Sequence, residues 1–259
     1  MDDDATAGQR VFPEFDRDIH VVPDDQIPER LCCYMGTDPH PRTPHAHLWL
    51  GIDKHDDWWV YREFWMSPVR GVMKALTDQD VFEVYSVKDY CGVIAYLEGN
   101  SIKMEHPHTD LEYGRYADTG GENIIYRFMD QAGKGFHSHF EQYPSISLHD
   151  LYKKYGLAYK DPYKNINAGE AAIHELLRPR RVNTLSWPKI HFAQSCVETI
   201  MEMEHLRYEK TNPALLESKE LKQKSVEARR HMIDILRYLV TARLVYIDRM
   251  ASERSKRIQ

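Results

Sequence analysis

Three aspartates carry the strongest chemical signal in this chain. Asp38 closes the apolar run LCCYMGTD, Asp130 closes NIIYRFMD, and Asp234 lies within HMIDILRY. The first two runs are apolar up to the acid and give way at once to turn formers, PHP in one case and QAGKG in the other. A carboxylate at the end of a buried strand is costly without a partner, and Pro39 beside Asp38 cannot donate to a strand ladder. A divalent metal is one such partner. Two strand-end aspartates and a helix aspartate packed on the same sheet can hold two ions roughly 4 Å apart for in-line phosphodiester cleavage. All-oxygen ligands favour Mg²⁺ or Mn²⁺ over zinc. Aspartates at strand ends also start turns and cap helices, so spacing alone leaves both roles open.

Other residues extend or compete with this set. Glu63, in YREFW, falls on a strand and is either a further ligand or supporting acid or an edge residue paired with Arg62 or a lysine. Asp53 opens DKHDD and reads as a turn residue; Asp118, before Gly120 and Gly121, reads as loop. His40, His45, His47, His106, His108, His137 and His139 form no pair at helical i, i+4 spacing with a distant acid or thiolate, so they read as loop histidines rather than zinc ligands. His40, beside Asp38, is placed to touch a phosphate or metal-bound water. Lys134 and the group Arg178, Arg180 and Arg181 are candidate phosphate contacts. The arginine group reads rather more readily as a solvated helix end complementing its dipole. Trp58 and Trp59 read as core packing, and Met201 and Met203 as one helix face.

These residues need elements to position them. Residues 1–30 are punctuated by prolines and read as an irregular, partly extended lead-in. Leu31–Trp65 holds three apolar, aromatic-rich runs separated by short polar breaks, which predicts an antiparallel three-strand meander. Ser67 to Gly99 predicts two helices, the second over VKDYCGVIAYLEG, and residues 100–122 predict loop. Asn123–Asp130 predicts a fourth strand. SLHDLYKKYG, capped by Ser147 and stopped by Gly156, and INAGEAAIHELLRP predict helices. PKIHFA predicts a short strand, QSCVETIMEMEHLRYE a helix, and KQKSVEARRHMIDILRYLVTARLVYIDR one long closing helix. Three strands followed by alternating strands and helices indicate an α/β fold around a mixed central sheet.

The 259 residues show no Gly/Ser/Pro-rich linker that would divide the interior, and 42% hydrophobic content suffices for a core. No run is long and apolar enough to span a bilayer, and the acidic, polar start MDDDATAGQR is not a secretory signal. Cys32, Cys33, Cys91 and Cys196 form no CxxC pair and read as reduced thiols. A balance of 34 basic against 40 acidic residues, −6 overall, argues against a dedicated high-affinity nucleic-acid binder. It leaves room for an enzyme acting on nucleic acid delivered by another domain.

Taken as words, GTDPHPRTPHAHLWLGIDK followed by WWVYREFW, then IIYRFMDQAGKG, then HMIDILRYLV resemble the nuclease domain of large terminase subunits, the DNA-packaging motors of tailed double-stranded DNA bacteriophages. The segments GQRVFPEFDRDIHVVPDDQIPE, INAGEAAIHELLRP and PKIHFAQSCVETIMEMEHLRYE are similar to the same family. The resemblance implies an RNase H-like fold and a carboxylate-held site binding two Mg²⁺ or Mn²⁺ ions, cutting concatemeric DNA at initiation and termination of packaging. Asp38 matches the first-strand ligand, Asp130 the acid ending the fourth strand, and Asp234 an acid of the C-terminal helix motif. Relatives often carry one or two acids just before the position of His231, where this chain has Arg229 and Arg230. Asp234, one turn beyond Arg230, would then complete the site with His231 assisting, or the site would hold one ion.

No GxxxxGK[ST] phosphate loop occurs in the chain. The resemblance therefore implies a nuclease domain at 31–259, preceded at 1–30 by the end of the linker from an absent ATPase domain. Implied partners are double-stranded DNA, the terminase ATPase domain, the small terminase subunit and the portal of the procapsid. There is no membrane partner, and the isolated domain would be monomeric. The implied location is the host cytoplasm, transiently docked on the procapsid. Nothing resembles a base-reading helix, so cleavage would be largely sequence-independent. Two alternatives are another RNase H-like nuclease of resolvase or transposase type, and a nuclease-like docking module whose site is impaired by Arg230.

Overall fold

In the computed structural model the chain is described over residues 9–39, 45–65, 87–99, 121–131, 134, 146–182, 185–208 and 230–247. The first expected helix after Ser67, the 100–120 stretch, His40, His106, His108, Asp118, His137 and His139 lie outside these residues.

The meander forms as the three apolar runs predict. Strands β2 (Cys32–Asp38), β3 (Ala46–Ile52) and β4 (Trp58–Phe64) pair antiparallel, with Asp38 opposite Ala46 and Cys32 opposite Ile52. Strand β5 (Ile124–Met129) lies parallel to β2, with Thr37 opposite Met129. On the other side β8 (Ile190–Ala193) runs parallel to β4, and β1 (Val21–Val22) parallel to β8. The sheet order is β1-β8-β4-β3-β2-β5, so β3 alone runs against the other five strands. Consequently Asp38 and Asp130 emerge at one end of the sheet, and Asp53, after β3, at the other.

Every residue of β3 is buried, as expected of a central strand covered on both faces. Successive side chains alternate between two cores. Tyr34, Leu48 and Leu50 face α4 (Ile166–Leu177), α5 (Val197–His205) and α6 (His231–Thr241). Met35, Trp49 and Phe64 face α2 (Val87–Leu97) and α3 (Leu148–Lys154). Helix α6 lies directly on β2 because Gly36 has no side chain: a methyl there would collide with Ile235. Ser147 caps α3 as expected, accepting from Asp150 N, and Gly156 follows at φ 94°, in the left-handed region that glycine tolerates. Asn165 caps α4 through Ala168 N.

Four readings of the sequence need correcting. The lead-in contributes a short helix α1 (Arg17–His20), strand β1 and the core residues Val11, Phe12 and Phe15. Among the described residues the closing helix spans His231–Thr241, with Arg230 at its N-cap in a non-helical conformation; the expected stretches 222–229 and 248–249 lie outside those residues. A hairpin, β6 (Arg180–Val182) and β7 (Leu185–Trp187), intervenes before β8. His47 is not a loop histidine but lies within β3, and His45, in the connection just before that strand, is also buried; they bond to Thr37 Oγ1 and Tyr152 OH respectively, and burial holds His47 well below its ordinary pKa.

Candidate active site

The ends of β2 and β5, the N-terminus of α4 and the first turn of α6 meet at one place. Asp38 leaves β2 with its side chain 17% exposed, and His231 Nδ1 donates to its Oδ2 at 2.7 Å. That bond raises the His231 pKa against the opposing effect of burial. Asp130 follows β5 directly; its backbone N–H donates to Thr37 O at 3.2 Å, which locks the two strand ends together. Its carboxylate is buried and is met by Lys164 Nζ at 3.0 and 3.1 Å and by the Tyr238 hydroxyl. Burial and the neighbouring Asp130 carboxylate push the Tyr238 pKa up, so the phenol remains a donor.

Asp234 lies on α6 between two arginines. Arg237 Nη1 bonds Oδ1, and Arg230 Nε lies 3.3 Å from Oδ2. Desolvation raises the Asp234 pKa, Arg237 and Arg230 oppose this, and Asp38 adds a like-charge contribution. Arg237 also bonds Glu170 on α4. Asp130, Lys164, Arg230, Asp234, Arg237 and Tyr238 line a cavity of about 270 Å³, together with Asn165 and Ile166 at the start of α4.

Helix α6 has no side-chain cap of its own. Glu202, from α5, supplies it by accepting from Ile233 N at 2.9 Å, and burial pushes its pKa up to about 8. Glu63 serves α5 in the same way. Its carboxylate accepts from Glu198 N (2.7 Å), Thr199 N (2.8 Å) and Thr199 Oγ1 (2.6 Å). Glu63 is thus a helix cap, and the structure does not bring it to the aspartates as the ligand expected. His231 does join them, through Asp38.

The expected phosphate contacts fall elsewhere. Arg178 ends α4 and pairs with Glu175 and Glu14, and Arg180 pairs with Asp57 at 2.9 Å. Twelve residues of α4 separate this group from the cavity, about 18 Å at 1.5 Å per residue. Lys134 follows β5 near the site but pairs with Asp161 on the surface at 2.6 Å. The side chain of Arg181 lies outside those described. Sequence reading missed Lys164, Glu202 and the roles of Arg237 and Tyr238. The last two stand in the quoted motif HMIDILRY; Lys164 precedes a helix and bears no local mark of reaching Asp130.

Among the described residues no three His, Cys, Asp or Glu side chains converge on an ion site. The oxygen donors of Asp38 and Asp130 suit Mg²⁺ or Mn²⁺, which are commonly held by one or two carboxylates with water and substrate phosphate completing the shell. Lys164 would compete with such an ion for Asp130, and Asp234 would have to release a guanidinium to join.

No protein-family model matches the chain, and no curated protein matches it in sequence. Solved structures do match. The large terminase of a thermophilic bacteriophage superposes with a TM-score of 0.59 at 16% identity, over 93% of this chain and 47% of the phage protein. The P22 large terminase nuclease domain superposes with a TM-score of 0.57 at 13% identity, over 92% of this chain and 94% of that one. The fold is that of a terminase nuclease domain. The chain spans about half of the thermophilic phage's terminase and nearly all of the P22 nuclease domain. On this terminase nuclease fold, RNase H-like as the motifs implied, β2 and β5 are the adjacent strands that carry Asp38 and Asp130. Among the described residues no helix is long and apolar enough to cross a membrane.

Proposed function

We propose that this chain is a metal-dependent DNA endonuclease domain of a phage large terminase, cutting concatemeric double-stranded DNA when packaging begins and ends. The observation that carries the reading is the parallel pairing of β2 with β5, which after a shift between Cys33 and Tyr34 runs from Tyr34 opposite Tyr126 to Thr37 opposite Met129 and so brings the strand ends that bear Asp38 and Asp130 together. The shared fold of the two phage terminases supports it independently.

Asp38 and Asp130 would hold Mg²⁺ or Mn²⁺. The bound ion supplies Lewis acidity and lowers the pKa of water, the chemistry that phosphodiester hydrolysis requires. His231 orients Asp38, and Tyr238 orients Asp130. A second ion would require Asp234 to release Arg230 or Arg237. The ATPase domain, the small subunit and the portal are the partners this reading implies, at a procapsid in the host cytoplasm.

A second reading draws on the cations. Each aspartate is matched by His231, Lys164 or an arginine pair, an arrangement that also suits a nuclease-like docking module without cleavage. Supercoiled plasmid incubated with Mn²⁺ separates the two. Relaxation and linearisation by the parent, lost in Asp38→Ala, are expected; plasmid left intact by the parent across metals and concentrations favours docking.

A further inference from the structure

Arg237 is shared between two acids on two helices. Its stem is pressed against α4, where a Cβ on Gly169 would come within 2.8 Å of Arg237 Cβ and 3.2 Å of its Cα. The side chain is 3% exposed, and its guanidinium gives Nη1 to Asp234 on its own helix and Nη2 to Glu170 on α4. The buried Nε has no hydrogen-bond partner. In a guanidinium, Nε–H and Nη2 lie along one edge, a fork that a carboxylate can take bidentately. Glu170 therefore occupies that edge through one donor of two. Its Oε1 accepts from Nη2, while Oε2 has the Tyr208 hydroxyl at 3.5 Å, near the limit of a hydrogen bond.

We propose that Glu170 is the receiver for Arg237. When Asp234 turns to a divalent ion, Arg237 releases Asp234 Oδ1 and closes on Glu170 through Nε and Nη2 together. Glu170 is then a positioning residue that sets whether the site takes one ion or two. The inference rests on the nuclease reading of Asp38, Asp130 and Asp234.

The energetics favour an exchange over a simple release. A buried arginine stripped of its acid leaves an uncompensated charge, which is strongly unfavourable. Asp234 can give up Arg237 only if another carboxylate holds it. Glu170, 17% exposed and already bonded to Nη2, is that carboxylate. Arg237 makes two carboxylate bonds before the exchange and two after it, and Nε gains the acceptor it lacks. The released Nη1 is on the side of Asp234, and both residues line the cavity, where water can meet it. Little movement is needed, because α4 fixes the stem and Nη2 keeps its partner throughout. Asp234 Oδ2 stays with Arg230 at 3.3 Å, so Oδ1 alone is offered to the ion. Asp38 is near enough to Asp234 for their charges to repel, which a cation shared by the two would relieve. No proton or electron moves; one cation replaces another at Asp234.

The test combines Mn²⁺ calorimetry with ¹H–¹⁵N NMR in a Mg²⁺ titration. The proteins are the parent, Glu170→Gln, the double variant Glu170→Gln/Arg237→Gln and Glu175→Gln, each first checked for a cooperative thermal transition. The parent is expected to bind two ions, with the Arg237 Nε–H resonance shifting as the weaker one enters. Glu170→Gln keeps the shape but cannot receive the charge. It should weaken the second ion by about 10–100-fold and abolish the shift. The double variant should bind the second ion at least as well as the parent, a rescue that a merely structural role for Glu170 does not give. Glu175→Gln, near the far end of α4, should match the parent. Two ions bound equally by the parent and Glu170→Gln, no rescue in the double variant, or a single ion in the parent each overturns the exchange and leaves the nuclease reading intact. A parent that binds no ion overturns the nuclease reading and the exchange with it.

Discussion

Both ends of the sheet carry aspartates where a strand ends, Asp53 and Asp130 buried and Asp38 half-buried, and they use them differently. Asp53, after β3, has its oxygens filled by fixed local donors: His55 N at 2.8 Å, Asp57 N at 3.0 Å and Trp59 Nε1 at 3.2 Å. All belong to the same turn and the strand it enters. Asp38 and Asp130 instead meet groups from far along the chain, His231, Lys164 and Tyr238, on flexible or rotatable side chains, and Asp130, Lys164 and Tyr238 line a cavity. Backbone donors of a tight turn cannot leave; an ammonium or an imidazole can. Residue type and strand position are alike at the two ends, so the partners decide which carboxylate holds a turn and which can exchange its counter-charge for a ligand.

Cleavage breaks this contrast most sharply. Asp38→Asn is expected to lower Mn²⁺-supported plasmid cutting by more than about 100-fold, beyond the 10–100-fold typical of residues that merely support a metal ligand. Asp53→Asn should cut at the parental rate per folded molecule. If both variants cut alike, the distinction between the two ends is lost.

Stability should show the reverse order. Asp53→Ala leaves Trp59 Nε1 and two turn N–H groups without an acceptor, at a cost of about 1–3 kcal/mol in urea unfolding. Gly36→Ala places a methyl against Ile235 and should cost a similar 1–3 kcal/mol by overpacking α6 on β2. Because α6 carries His231 and Asp234, Gly36→Ala should also reduce cleavage, whereas Asp53→Ala should not. Equal cleavage in the two would mean that α6 does not position the site.

A smaller effect concerns the cap of α6. Burial raises Glu202 from 4.5 to about 8, so the folded chain keeps a proton that the unfolded chain releases. Its stabilising contribution is full below pH 4.5 and is lost as pH rises through about 8. His231, also raised, contributes in the same direction. Urea midpoints across this window should fall with pH in the parent, with a shallower fall in Glu202→Gln. An identical slope in the variant would remove Glu202 from the account.

Much of this was legible in the sequence because it depends on local pattern. The apolar runs and short polar breaks of Leu31–Trp65 predict the meander, and the apolar run before Asp130 predicts β5. Their adjacency was a condition that only tertiary pairing could meet. Strand β1 has two residues and exists through its parallel pairing with β8, about 170 residues away, which no local pattern encodes. The start of α6 was hidden because ARRHMID continues a helical composition without a stop; its cap comes from Glu202 on another helix. Glu63 shows the converse, an acid on the expected strand whose side chain is used by α5. Lys164 was illegible for the same reason as β1, since its partner is distant in sequence.

The central claim is that Asp38 and Asp130, and not the acids of the opposite turn, form the metal-binding end of the molecule. Calorimetric titration with Mn²⁺ tests it most directly, on the parent, Asp38→Asn and Asp53→Asn. The account predicts binding by the parent and by Asp53→Asn, with binding abolished in Asp38→Asn. Equal binding by the parent and Asp38→Asn, or none by the parent, would contradict it.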